Sequence, residues 1–280
     1  MDHRKIEWLF LILFCLVDIY LIIELWRPPI SLSSSTSSVT SSNNLREEMR
    51  SDNITVPKLS RNADSGYYLA SRGKTDLKKA AGKISSDVQV DYAQNDKTLY
   101  GTLKKPISLE WMSLEQFKND KNYVPHGKEF TYASYLSSNS SYVYVQHSQY
   151  GNLYSNLGQL VITVKDKKIT GYYETYLSDL TSVRELQSTI SPWRAVSNLY
   201  TNRELSDNSK VMQVKLGYTR LTEVRGSVIF VPTWMVWIEN KSSKSTTVKR
   251  VNAFNGQLLQ TTAVDDEAKR QKARQKCLRI

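Results

Sequence analysis

The chain has 280 residues, of which 40% are hydrophobic, with a formal net charge of +11 and two cysteines. There is enough apolar sequence for a real core and enough length for one large or two small domains. Cys15 lies in an apolar segment and Cys277 in a polar tail, which excludes a disulfide framework. The charge is local, with Lys269, Arg270, Lys272, Arg274, Lys276 and Arg279 crowding the C-terminal end. Such a tail suits anionic lipid headgroups or wall polymers, and no nucleic-acid partner is expected outside a membrane.

Trp8–Leu25 (WLFLILFCLVDIYLIIEL) is nearly continuous apolar sequence, close to the ~20 residues that cross ~30 Å of hydrocarbon. Trp8 and Trp26 bracket it as interfacial aromatics, and Arg4 and Lys5 ahead of it favour a cytoplasmic N-terminus. The run exceeds the roughly 7–15 residues of a signal-peptide core, and no small-x-small cleavage site follows. It is read as an uncleaved anchor in the cell membrane, spanning it once, with the rest of the chain extracytoplasmic. Glu24 can snorkel to water. Asp18 sits mid-span, where an ionised carboxylate costs ~2.5–3.5 kcal/mol, and such residues usually face a partner helix or a polar cavity. Cys15, Asp18, Ile22 and Leu25 share a helical face. Asp18, Cys15 and Ile22 are therefore the expected contacts with a partner transmembrane helix.

The expected division is an anchor over 1–27, a flexible linker over 28–52, a first α+β domain over 53–152, a second over 153–264 and a basic tail over 265–280. The linker holds ISLSSSTSSVTSSNN (residues 30–44), which buries almost nothing, with a short helix near Arg46–Arg50. In the first domain, Gly66–Ala70 reads as a strand and Thr75–Ile84 as a helix with Thr75 as N-cap. Val88–Tyr92 and Thr98–Leu103 form a hairpin about Asn95-Asp96. Ser113–Gln116 is a capping box, and Phe130–Leu136 and Tyr142–Gln149 read as strands.

In the second domain, Leu160–Val164 and Ile169–Leu177 flank the turn Asp166–Lys168. Ser191 and Pro192 open a helix. The strands Val211–Thr222, Ser227–Glu239 and Thr246–Gln260 follow, with Pro232 marking an edge or bulge and Asn255-Gly256 a tight turn. Asp265–Lys276 reads as a surface helix. Helices segregated beside antiparallel strands give an α+β class.

Catalytic signals are absent. The outer chain has two histidines, His126 and His147, and no G-x-S-x-G elbow, H-E-x-x-H, C-x-x-C or glycine-rich phosphate loop. His147 on a strand face reads as structural. No cofactor and no metal are expected, and the chain is not read as an enzyme. Trp193, Trp234, Trp237 and the 17 tyrosines read mostly as core, with a minority at a contact surface.

Five stretches carry a resemblance: YYETYLSDL (172–180), ISPWRAVSNLYTNREL (190–205), VMQVKLGYTRL (211–221), FVPTW (230–234) and RVNAFNG (250–256). In this order, behind a short N-terminal anchor, they resemble the YycI (WalI) family. The resemblance implies a non-enzymatic bitopic regulator in low-GC Gram-positive bacteria. Such a regulator acts with a YycH-like protein on the YycG (WalK) sensor histidine kinase, whose two-component system controls cell-wall metabolism. The family's motifs look structural, so no binding residue carries over from them. The other reading is a membrane-tethered module that captures a wall polymer or peptide.

Overall fold

A computed structural model describes residue 8 and residues 11–20, 37–93 and 97–259. The chain divides into two units, Met1–Ser51 and Asp52–Ile280. In the first, residues 11–20 are helical (α1) and exposed. Among the described residues no helix is long and apolar enough to cross a membrane. Residues 21–25 of the expected span lie outside the described residues, as do the Asn95-Asp96 turn, the expected 265–276 helix and the basic tail.

The second helix, α2, runs Ser37–Ser51, which corrects the expectation of a flexible tether for residues 37–44; residues 30–36 of that stretch lie outside the described residues. The strong helix formers Leu45, Arg46, Glu47, Glu48, Met49 and Arg50 make up its C-terminal part. Helix propagates from such a nucleus at low cost per residue, and it extends back through weak formers. The Ser51 hydroxyl donates to the Glu47 carbonyl at 3.2 Å within the last turn.

In the second unit the elements run in chain order β1 (Ser65–Gly66), β2 (Leu69–Ser71), α3 (Leu77–Ala81), β3 (Val88–Ala93), β4 (Thr98–Ser108), α4 (Leu114–Asn119) and β5 (Phe130–Tyr132). Then come β6 (Ser141–Ser148), β7 (Gly151–Leu153), β8 (Gln159–Lys165), β9 (Lys168–Thr175), β10 (Thr181–Ser182), β11 (Gln187–Ser188) and α5 (Pro192–Thr201). The last are β12 (Ser209–Val224), β13 (Ser227–Asn240), β14 (Thr246–Asn252) and β15 (Leu258–Leu259). The class is α+β with a mostly antiparallel sheet and few helices. Single-turn 3₁₀ segments at Gly127–Glu129 and Ser134–Leu136 flank β5. The second replaces the C-terminal half of the strand expected over Phe130–Leu136.

The local signals act as their chemistry dictates. Ser113 accepts from the Gln116 N–H and Gln116 Oε1 from the Ser113 N–H, closing the capping box of α4. Ser191 caps α5 by accepting from the Arg194 N–H, with Pro192 at the first position. Asp166 and Lys167 adopt φ of 50° and 58°, the twisted turn that closes a two-residue hairpin between β8 and β9. Asp76, not Thr75, occupies the N-cap of α3. The Thr75 hydroxyl accepts from the Leu77 N–H at 3.3 Å just ahead of it.

Pro232 lies inside β13, which has partners on both edges. Along one edge β13 pairs with β2 over Val228–Phe230 and with β14 over Thr233–Glu239. Pro232 falls between the two, and its carbonyl accepts from the Ala253 N–H on that edge. The N–H that proline lacks would point to the same edge, where no strand asks for it.

The strand order is β10-β2-β13-β12-β7-β6-β8-β9-β4-β3, with β14 beside β13, β15 beside β14 and β5 beside β6. It forms two wings. One holds β3, β4, β9, β8, β6 and β5 with α3 and α4; its core includes Leu77, Leu99, Phe117, Tyr144, Leu160, Ile162 and Ile169. The other holds β2, β10 and β12–β15 with α5, which buries Trp193, Ala195, Val196 and Leu199.

The strand pairing does not follow the expected division at residue 152/153, which cuts through β7. The strands β8 and β9 pair with β6 and β4 of the first wing. Conversely β2 pairs with β13 of the second wing, and β1 pairs with β11 in a separate two-stranded sheet. A reading in chain order assigns strands to their sequence neighbours, and here long-range pairing overrides that assignment.

The wings meet at β7, antiparallel to β6 and joined to β12 by a single parallel rung, Tyr218 opposite Leu153. The Tyr154 N–H donates to the Tyr218 carbonyl at 2.8 Å. Gly217 permits this approach: a Cβ there would lie 2.5 Å from the Tyr154 ring and 2.9 Å from the Asn152 carbonyl oxygen. Because backbone blocks one side, Gly217→Ala is expected to cost about 1–3 kcal/mol. The urea midpoint should fall at unchanged m-value.

Candidate functional site

The residues expected to touch a partner helix are distributed as follows. Cys15 and Asp18 lie on α1, where both are exposed, and their spacing puts them on one helical face. Ile22 lies outside the described residues. His147 is exposed at the end of β6, with Nδ1 2.7 Å from Asn152 Oδ1. Trp193, Trp234 and Trp237 are buried. Trp111 ahead of α4 is the tryptophan of the second unit that stands 88% exposed.

The site that the fold builds is centred on His126, in the loop between α4 and β5. This loop is pinned from beneath by Lys118, a 5% exposed residue of α4. Its ammonium donates to the carbonyls of Gly127 (3.0 Å) and Phe130 (3.1 Å) and to Asn119 Oδ1 (2.9 Å). It also pairs with Glu115 at 3.3 Å. Held this way, the loop turns the His126 ring against β9. His126 Nδ1 lies 2.8 Å from Glu174 Oε1, and Nε2 lies 3.1 Å from Asp76 Oδ1 at the entry to α3. The Tyr176 ring stacks on the imidazole at 3.9 Å and 1°. The Tyr176 hydroxyl in turn donates to Glu129 Oε2 at 2.5 Å.

The electrostatics follow from burial. The Glu174 side chain is wholly buried, and its Oε2 has no hydrogen-bond partner among the described residues. Burial pushes the Glu174 carboxyl above its ordinary range, and the bond to His126 pulls the other way. Burial alone would lower the His126 imidazole, but Glu174 first, then Asp76 and Glu129, hold it above its usual value. Tyr176 is raised by burial and by the Glu129 carboxylate.

With both ring nitrogens committed to carboxylates, His126 is arranged to hold a proton. Among the described residues no group of three His, Cys, Asp or Glu side chains could hold a metal ion. Beside the loop lies a cavity of about 320 Å³, whose lining includes His126, Glu129 and three exposed lysines, Lys83, Lys121 and Lys128.

Sequence reasoning named His126 as one of two outer histidines and went no further. The available signal was Glu174, a carboxylate two residues from the buried Tyr172 and so at an inward position of β9. Its partners Asp76 and His126 are distant in sequence, so nothing in the one-dimensional pattern joins them.

The YycI family model, described as YycI protein, matches residues 32–254. The chain belongs to the YycI family. A regulatory role in the YycG/WalK two-component system goes with that membership, and the family is not one of known enzymes. A comparison with curated proteins finds no match. Among solved structures, the chain is similar to an uncharacterized protein from Eubacterium rectale, at 12% identity and a TM-score of 0.46, covering 75% of this chain and 90% of that one. It is also similar to the Bacillus megaterium YpeB C-terminal domain, at 14% identity and a TM-score of 0.36, covering 79% and 97%.

In this member of the YycI family, the Lys118 ammonium is what fixes the His126 loop. Lys118→Met keeps the stem and removes the charged donor, and is expected to lower stability by about 1–3 kcal/mol. Urea denaturation measures that loss, and amide exchange should rise first in Gly127–Phe130.

Proposed function

We propose that the protein is a membrane-anchored, non-enzymatic regulator of a YycG/WalK-type sensor histidine kinase. It acts together with a YycH-like partner, with its N-terminus cytoplasmic and its folded region outside the membrane. The observation that carries this reading is the family match over 32–254. Two features support the mechanism. The apolar sequence Trp8–Leu25 has the length of a span, and helical spacing would put its mid-span Asp18 on one face with Cys15 and Ile22. A polar side chain in hydrocarbon gains from a hydrogen-bonding helix partner, at about 0.6–2 kcal/mol per contact.

A kinase with two signalling states responds only to a partner that prefers one of them. A preference of ~1.4 kcal/mol changes the ratio of states tenfold. One or two helix contacts reach that value, and extracytoplasmic contacts add to it. The regulator therefore needs no catalytic chemistry to change kinase output.

The test is cysteine crosslinking in membranes. Single cysteines along residues 11–23, in a background with Cys15 replaced, are trapped against cysteines in the kinase and YycH-like helices. Crosslinks are expected with helical periodicity, centred on the face of Asp18. Asp18→Leu should reduce kinase recovery in co-purification severalfold. Crosslinks no stronger than those of a scrambled anchor, with recovery unchanged, would reduce the segment to a tether.

A further inference from the structure

The His126 cluster joins three segments that are distant in sequence: the entry to α3 through Asp76, the loop 120–129, and β9 through Glu174. Its geometry limits where protons can sit. If the His126–Glu174 pair and the second ring nitrogen together hold two protons, every contact has a donor. The imidazolium can donate to both carboxylates, or a protonated Glu174 can donate to Nδ1 while Nε2–H donates to Asp76. These are two forms of one protonation state of the pair.

Removing one proton breaks that balance. A neutral imidazole beside an ionised Glu174 has a single N–H to share between two carboxylates. One contact, at 2.8 or 3.1 Å, then sets acceptor against acceptor. The second oxygen of Glu174 already has no partner among the described residues.

The surroundings do not compensate. The charged groups facing the ring are Glu174 from β9, Asp76 from the α3 entry and Glu129 from its own loop. Tyr176 covers one face of the ring, and the Tyr172 hydroxyl is spent on the Tyr123 carbonyl. Lys118 is engaged by carbonyls and Glu115. Lys83, Lys121 and Lys128 line the adjoining cavity from exposed positions.

We propose that the proton shared by His126 and Glu174 is a latch that holds the loop 120–129 against β9 and the entry to α3, so that the folded region loosens there as pH rises. This gives the regulator proposed above an input, and it stands apart from that reading because the latch is measured on the chain alone.

The sign of the linkage is the same for both groups. His126 is raised above 6.5, so its contribution is complete below pH 6.5 and is lost as pH rises through its higher folded value. Glu174 is raised above 4.5, which lets the shared proton sit on either partner without adding another. The folded pair thus keeps a proton that the unfolded chain releases as pH rises past 6.5, and stability falls with rising pH.

The experiment uses the full chain in detergent micelles between about pH 5 and 8. Amide exchange in residues 120–129 is measured relative to the Asp166–Lys167 turn, which cancels the intrinsic pH dependence of exchange. The ratio is expected to rise severalfold with pH in the wild-type chain. His126→Gln should flatten the rise. Asp76→Asn changes a half-exposed partner that a stable fold can lose, and it should move the rise to lower pH. Labelled-histidine NMR on the same samples should place the His126 titration above 6.5 in the wild-type chain and lower in Asp76→Asn. A constant ratio in the wild-type chain, or one that rises identically in Asp76→Asn, overturns the proposal. If His126→Gln does not fold, Asp76→Asn alone decides.

Discussion

A single parallel rung carries the hydrogen-bonded sheet from one wing into the other, above a buried cluster of Val145, Tyr154, Met235 and Trp237 that joins them by packing. Among the described residues the other paired strands run antiparallel, and β7 beside β12 does not. The backbone bonding at this rung, which includes the Tyr154 N–H to the Tyr218 carbonyl, continues the ladder from one wing into the other. It requires two strands to approach more closely than a side chain allows, and Gly217 supplies the space. The flanking contacts insulate it. Tyr154 packs edge-on against Trp237, and the Tyr218 hydroxyl accepts from the Tyr67 N–H at 3.2 Å, bringing in the segment before β2.

The abundance of tyrosine has a common cause in these contacts. Tyr172 donates to the Tyr123 carbonyl, Tyr173 to Gln159, Tyr176 to Glu129 and Tyr200 to Asp52. Tyr172 and Tyr176 pack in or against the first-wing core, and each of the four hydroxyls satisfies a polar group on another segment. Phenylalanine would fill the space and leave that group bare. A thin sheet has many positions at the boundary between core and water, and tyrosine suits them. The His126 site is an instance, with the Tyr176 ring covering the imidazole and its hydroxyl steadying Glu129.

Local chemistry was legible in the sequence and long-range pairing was not. The α4 capping box, the Ser191–Pro192 helix start, the Asp166-Lys167 hairpin and the Asn255-Gly256 turn each depend on neighbours within a few residues, and each forms. In the last, Gly256 adopts φ 76° and donates its N–H to the Asn252 carbonyl. The division into 53–152 and 153–264 depended on which strands meet, and no pattern in β8 or β9 states that they pair with β6 and β4. The same limit hid the candidate site. Asp76, His126 and Glu174 each look ordinary alone, and only the fold makes one cluster of them. Composition misled at α2, where a Ser/Thr-rich stretch is carried into helix by stronger formers that follow it.

The interleaving of the wings also sets an order of assembly. The strands of the first wing all lie between Val88 and Thr175, so this wing can close its ladder from one contiguous stretch. The second wing must join β2 to β13, more than 150 positions apart (Ala70 with Ile229), and the entropy of closing so long a loop is lost before any contact rewards it. A chain emerging N-terminus first therefore carries Thr55–Ser71 with its strand partners still to come while the first wing folds behind it. The finished first wing shortens the effective loop and presents β7 as a template on which β12 can dock. Folding of the second wing is thus conditional on the first, and damage to the first-wing core should surface as misassembly of strands that lie outside it.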